Sequence, residues 1–166
     1  MSDTSGWGLR SMQFSRILGA VGAAFFMSFS ASASAQEQAD VYTTADPELV
    51  LELAKGFGSA ALEKDSSGDP MISGRVQGLK YVVWFYGCKE AVNCRSIQLS
   101  AGYTDEYSAE KANEWNAKFR WIKAFEKDGS NFRMDIDFKG GITRANLEAQ
   151  MATWDSFVGD IKESVE

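Results

Sequence analysis

The chain of 166 residues contains no histidine, and that absence excludes more than any residue present. Without imidazole there is no Ser-His-Asp or Cys-His nucleophile pair, no His-ligated metal and no ordinary general base near pH 7. Cysteine occurs twice, too few for a structural zinc site, which takes four Cys/His ligands. Proline also occurs twice, at Pro47 and Pro70, so no Pro-rich linker divides the sequence. Basic charge is in deficit: 17 Lys+Arg stand against 23 Asp+Glu, a net charge of −6. That sign is opposite to the basic footprint of a nucleic-acid binder. What is present is a 45% apolar composition, enough for one folded domain with its own core.

The first 35 residues have the layout of an export signal. Arg10 and Arg16 precede an uncharged apolar stretch at residues 17–29, and small residues ending Ala33-Ser34-Ala35 follow. Cleavage is expected between Ala35 and Gln36. Met12 is a second candidate start, because Met12 to Arg16 makes a more typical basic beginning. The alternative, a membrane anchor, needs about 20 apolar residues, more than this stretch supplies. No Cys adjoins the cleavage site, which argues against a lipoprotein, and no Arg pair precedes the apolar stretch, which argues against twin-arginine export. The expected organisation is a signal at 1–35, a flexible leader at 36–45 and a single domain at 46–166, in the periplasm or secreted. The mature chain would carry 15 basic and 22 acidic residues, net −7, with no stable membrane insertion.

Cys88 and Cys94 bracket a short loop between two strand-like runs. In an oxidising compartment such a pair forms a disulfide. The alternative, a redox site, favours C-x-x-C at a helix N-terminus, and neither feature is present.

The patterning predicts the order α-β-β-β-β-α-β-β-α, an α+β domain with a mostly antiparallel sheet. Asp46 and Pro47 open a first helix whose apolar positions are Leu49, Val50, Leu53, Ala54 and Phe57, with Gly56 and Gly58 ending it. Strands follow at 59–64 and 71–76, joined by the turn-rich Asp65-Ser66-Ser67-Gly68-Asp69. Gln77-Gly78 leads into LKYVVWFY, apolar on both faces and therefore a central strand. Ile97, Leu99, Ala101 and Tyr103 alternate with Ser96, Gln98 and Ser100. Ser108 caps a second helix carrying Ala112 and Trp115. A strand at 121–127 turns at Asp128-Gly129 into Phe132, Met134, Ile136 and Phe138 alternating with Arg133, Asp135 and Asp137. Thr143 caps a long final helix, with Leu147, Met151, Trp154, Val158, Ile161 and Val165 in one seam. This is read as a helix laid on the sheet, with a helix-mediated homodimer as the alternative.

If the helices cover one side, then Lys80, Val82, Trp84 and Tyr86 share the other side with Ser96, Gln98, Ser100, Arg133, Asp135 and Asp137. An aromatic patch among polar strands is a candidate partner surface, with Trp84, Tyr86 and Val82 at its centre. The competing reading is that N-terminal strands or a loop cover it. Trp84, Trp115, Trp121 and Trp154 are read as core residues rather than a ligand cage. Asn113 and Asn116 are poor mid-helix residues, which points to a hydrogen-bonding task.

Catalytic and metal signals are weak. Asp135 and Asp137 share a strand face, as a carboxylate pair would for acid–base work, but solvated strand faces commonly carry such residues. The stretches 65–69 and 128–131 do not match a calcium loop, and Gly140-Gly141-Ile142-Thr143 lacks the length and Lys of a phosphate loop. No catalytic residue, metal or cofactor is expected.

Three motifs in order resemble the YbjN family of bacterial domains. They are Tyr81–Tyr86 running into Gly87-Cys88 and Cys94-Arg95-Ser96-Ile97-Gln98-Leu99-Ser100-Ala101-Gly102; Asn113-Glu114-Trp115-Asn116; and Gly140-Gly141-Ile142-Thr143 before a helix with Trp154. The resemblance spans about residues 46–162. It implies a sensory transduction regulator with an α+β fold like that of type III secretion chaperones, binding a protein or peptide and using no known cofactor. The expected function is thus an exported, non-catalytic binding module with a regulatory or chaperone-like role. The alternatives are an envelope stress or structural protein without a dedicated ligand, and a hydrolase using Asp135, Asp137 or Glu126.

Overall fold

The computed structural model describes residues 40–104 and 106–166. The predicted signal, its cleavage point and residues 36–39 lie outside the described residues.

Six antiparallel strands form one sheet. They are β2 (Ser59–Lys64), β3 (Pro70–Val76), β4 (Leu79–Tyr86), β5 (Ser96–Tyr103), β6 (Lys123–Glu126) and β7 (Ser130–Asp137), in spatial order β2-β3-β4-β5-β7-β6. Two short strands, β1 (Val41–Tyr42) and β8 (Ile142–Thr143), pair separately. The helices are α1 (Pro47–Phe57), α2 (Ala109–Lys118), α3 (Arg144–Ser156) and α4 (Val158–Val165). The α+β class and the element order agree with the sequence patterning, with β1 and β8 added and the last helix divided.

Local chemistry explains the boundaries. Asp46 accepts the Glu48 backbone N–H and Ser108 accepts that of Lys111, so both predicted caps start their helices. Thr143 does the same for Asn146. Gly56 lies inside α1 and Gly58 terminates it. The long final helix breaks at Phe157, whose N–H bonds the Trp154 carbonyl in a tightened turn. Phe157 swings its ring to within 5.3 Å of Phe119 and 6.4 Å of Trp115. The apolar seam nonetheless continues: Leu147, Met151, Trp154, Val158 and Ile161 are all buried.

The core lies between the helices and one face of the sheet. Ile72, Val83, Leu99 and Met134 form one buried row across β3, β4, β5 and β7. Ala101, Phe132 and Ala124 form another, with the Trp115 ring edge-on to Phe132 at 4.8 Å. Gly74 is required here, because a Cβ would come within 2.6 Å of the Tyr81 ring, which spans β3 and lies 6.3 Å from Trp154.

Two hairpins fix which backbone groups each strand turns outward. The two-residue connection Gln77-Gly78 closes the Val76–Leu79 pair, and Asp65 N–H donates to Asp69 C=O at 2.9 Å. In an antiparallel ladder the direction alternates residue by residue. Ser59, Ala61 and Glu63 therefore bond β3, while Ala60, Leu62 and Lys64 turn their N–H and C=O groups away from the sheet.

Two expectations are corrected. The stretch 36–45 is not a free leader along its whole length: Val41–Tyr42 pairs with β8, and buried Ala45 exchanges backbone hydrogen bonds with Cys94 at 2.7 and 3.3 Å. The sixth strand starts at Lys123 rather than at residue 121, and Trp121 is 57% exposed rather than core. Its only ring partner among the described residues is the Arg120 guanidinium, 5.7 Å from the ring centroid. Trp115 and Trp154 are buried as expected, and Trp84 is half-buried.

Candidate functional site

The face opposite the helices carries none of them among the described residues. β4 places Val82, Trp84 and Tyr86 in line on it, because alternate side chains share a face. Val82 and Trp84 are half-buried by their cross-strand neighbours and Tyr86 is 46% exposed. Trp84 stands between Met71 on β3 and Gln98 on β5. Val82 stands between Ser73 and Ser100, and Tyr86 faces Ser96. The structure thus brings together the three predicted residues in one apolar strip.

Beyond the strip the face turns polar. Gln98, only 8% exposed, donates its amide N–H to the Asp135 carboxylate. Lys123 Nζ donates to the other oxygen of Asp135 at 2.7 Å. The Arg133 guanidinium lies 4.6 Å over the Phe125 ring. Burial disfavours the charged form of Asp135, but the hydrogen bonds from Lys123 and Gln98 and the charges of Lys123 and Arg133 outweigh it. The net effect holds its carboxyl below the usual range. A general acid needs the reverse, a raised pKa. Asp137 accepts the Lys139 backbone N–H at 3.0 Å, so both members of the predicted carboxylate pair have structural partners.

The lowered value predicts a pH effect. A carboxyl whose folded pKa is depressed stabilises the fold above its unfolded value, about 3.9, and loses that contribution as pH falls through the folded value. Asp135→Asn is expected to flatten the acid side of the stability–pH curve below about pH 4, with only a small, salt-screened cost at neutral pH. Urea midpoints for both proteins across that range check it; parallel curves would refute it.

The loop joining β4 to β5 borders the strip. Cys88 and Cys94 are disulfide-bonded, and closing so short a loop contributes about 2.4 kcal/mol in the chain-entropy account. Inside it, Lys89 and Val92 exchange backbone hydrogen bonds at 2.8 and 3.1 Å around Glu90 and Ala91, whose φ values are 54° and 59°. That is a type I′ turn made without glycine or asparagine at its centre.

The task of Asn116 is now visible. Its amide donates to the Ala124 carbonyl at 2.8 Å and its oxygen accepts the Ala124 N–H at 2.9 Å. Trp115 Nε1 donates to the Ile122 carbonyl at 2.6 Å. Together they fasten α2 along the outer edge of β6. Asn113 is exposed and shares none of this. Among the described residues no group of three or more His, Cys, Asp or Glu side chains converges as a metal site would require, and no helix is long and apolar enough to cross a membrane.

The fold and this face define an α+β domain with helices on one side of a six-stranded antiparallel sheet. The family described as "Putative bacterial sensory transduction regulator" matches residues 46–165, and the chain belongs to it: it is a member of the YbjN family. No curated protein matches the chain.

Proposed function

We propose that this chain is an exported regulatory module that holds a protein or peptide partner against the face opposite its helices. The observation that carries the reading is the Val82–Trp84–Tyr86 strip, uncovered among the described residues and bordered by the Gln98–Asp135–Lys123 network. Half-exposed aromatics backed by a rigid sheet are what an interface anchor needs, because little conformational entropy is lost on binding. The adjoining charged groups would set register rather than affinity. The Cys88–Cys94 disulfide supports residence in an oxidising compartment such as the periplasm. A chaperone-like role, holding an extended polypeptide on the sheet, fits the same surface. The reading requires no cofactor.

Affinity capture from envelope extract, read by mass spectrometry, tests it. The combined Trp84→Ala and Tyr86→Ala substitutions are expected to weaken retention of the partner about 30-fold, as loss of a central anchor does. The melting transition should stay close to wild type. Capture unchanged by both substitutions would remove this surface from consideration.

A further inference from the structure

The open face of the sheet is divided in charge. Arg75 on β3 stands directly across from Lys80 on β4, and Arg133 on β7 directly across from Lys123 on β6. Both pairs project away from the helices, because they alternate along their strands with the buried Val76 and Leu79, and with Phe132 and Ala124. Like charges directly opposite each other are unfavourable in a sheet. Of the four, only Lys123 meets a carboxylate among the described residues, that of Asp135 at 2.7 Å. Arg75 donates to the Gly78 carbonyl at 2.8 Å, Lys80 is exposed, and the Arg133 Nε is buried without a hydrogen-bond partner. The carboxylates of this face, Glu63, Asp135 and Asp137, all lie in the two rows that hold Trp84 and Tyr86.

We propose that the segment held on this face is acidic: an extended stretch of another polypeptide, with one Asp or Glu over the Arg75–Lys80 pair and a second over the Arg133–Lys123 pair. The inference rests on the reading that a polypeptide occupies this face, and it names that polypeptide's chemistry. Geometry sets the spacing. The two pairs lie three strand spacings and one row apart, about 16 Å. An extended chain covers about 13–14 Å in four residues, and residues four apart project to the same side. The reach of the long basic side chains covers the difference. The pattern is therefore acidic-x-x-x-acidic, laid across the strands. The middle of that span passes over Val82 and Ser100, which share a row with Arg133. An apolar side chain there meets the near end of the Val82–Trp84–Tyr86 strip.

An acidic polypeptide suits this surface better than an anionic membrane or a nucleic acid. Those present a continuous run of negative groups, which Glu63, Asp135 and Asp137 on the adjoining rows would repel. A polypeptide can set carboxylates over the basic pairs and apolar side chains over the strip beside them. The chain carries 23 Asp+Glu against 17 Lys+Arg, so basic side chains gathered on one half of one face steer an acidic segment to that half.

Fluorescence anisotropy with three labelled peptides tests it, on the full chain as the cell processes it. The first peptide has two Glu four residues apart with Leu between them; the second has Gln in place of both Glu, and the third has Lys. The Glu peptide is expected to bind about 10-fold more tightly than the Gln peptide at low salt, an advantage that shrinks as salt is raised. Lys80→Glu combined with Arg133→Glu is expected to reverse the order of the Glu and Lys peptides. Lys80→Gln relieves a like-charge pair, so its melting temperature should match or exceed that of the wild type while its preference for the Glu peptide falls. Equal binding of the Glu and Gln peptides overturns the inference; if Trp84→Ala with Tyr86→Ala abolishes that binding, the strip keeps its role. Binding of none of the three also overturns it, and the envelope capture then decides separately whether the strip holds a partner. Retention on phosphatidylglycerol vesicles that the Glu peptide cannot displace assigns the basic pairs to a membrane and overturns it as well.

Discussion

Phe132→Ala is expected to lower the free energy of unfolding by about 4 kcal/mol, near the upper end for an aromatic core deletion. The reason is the poverty of its neighbours. Phe132 is fully buried, and its cross-strand partners on both sides are alanines, Ala101 and Ala124. Neither can extend into the space the ring leaves. Two rings meet it edge-on, Trp115 at 4.8 Å and Tyr107 at 5.8 Å. Trp115 cannot follow the vacancy without giving up its hydrogen bond to Ile122. With typical domain stabilities of about 5–15 kcal/mol, the variant should be marginally folded. Equilibrium urea denaturation measures the loss; a cost under about 1.5 kcal/mol would mean that α2 closes onto the sheet freely.

Gly58→Ala should cost about 3 kcal/mol, and Gly56→Ala, two residues earlier, should stabilise by about 0.5–1 kcal/mol. At Gly58 the chain passes from α1 to β2 with no loop between them. A Cβ there would overlap the Arg75 carbonyl oxygen and come within 3.2 Å of its carbon and 3.3 Å of Val76 Cα. All three atoms are β3 backbone, so no side chain can move aside. A Cβ on Gly56 meets nothing within 4 Å, and the residue is helical, so the alanine only restricts the unfolded chain. Thermal melts of the two variants should move in opposite directions. Equal shifts would show that the α1–β2 junction is looser than its geometry.

Much of this architecture is legible in the sequence because the residues that decide it act locally. Asp46, Ser108 and Thr143 each cap the helix they precede. Gln77-Gly78 and Asp128-Gly129 supply the positive φ angles their hairpins need. Alternation along β7 buries Phe132, Met134 and Ile136 as the pattern requires. The misses arise where a distant partner decides. Residues 121 and 122 have strand character, but the Trp115 indole takes the Ile122 carbonyl, and the chain joins β7 only at Lys123. The seam from Leu147 to Val165 fits one helix or two equally well, and the ring contacts of Phe157 select two. The pairing of β1 with β8 rests on two residues each, below any periodic signal. For the candidate surface, the sequence places Val82, Trp84 and Tyr86 on one side of β4. That β5 is flanked by β7, which puts Gln98 beside Asp135, depends on strand order, which alternation does not encode.

The bond between Ala45 and Cys94 bears on how long the disulfide survives. Cys94 is fully buried, whereas Cys88 is partly exposed. An incoming thiolate reaches the folded bond from the Cys88 side and must expel Cys94 as the leaving thiolate. That anion would form away from water, on a residue whose backbone is bridged to Ala45, where its charge is poorly solvated. The folded domain therefore resists reduction at this bond, because the half that must leave is the half held inside, beside the single backbone bridge to Ala45.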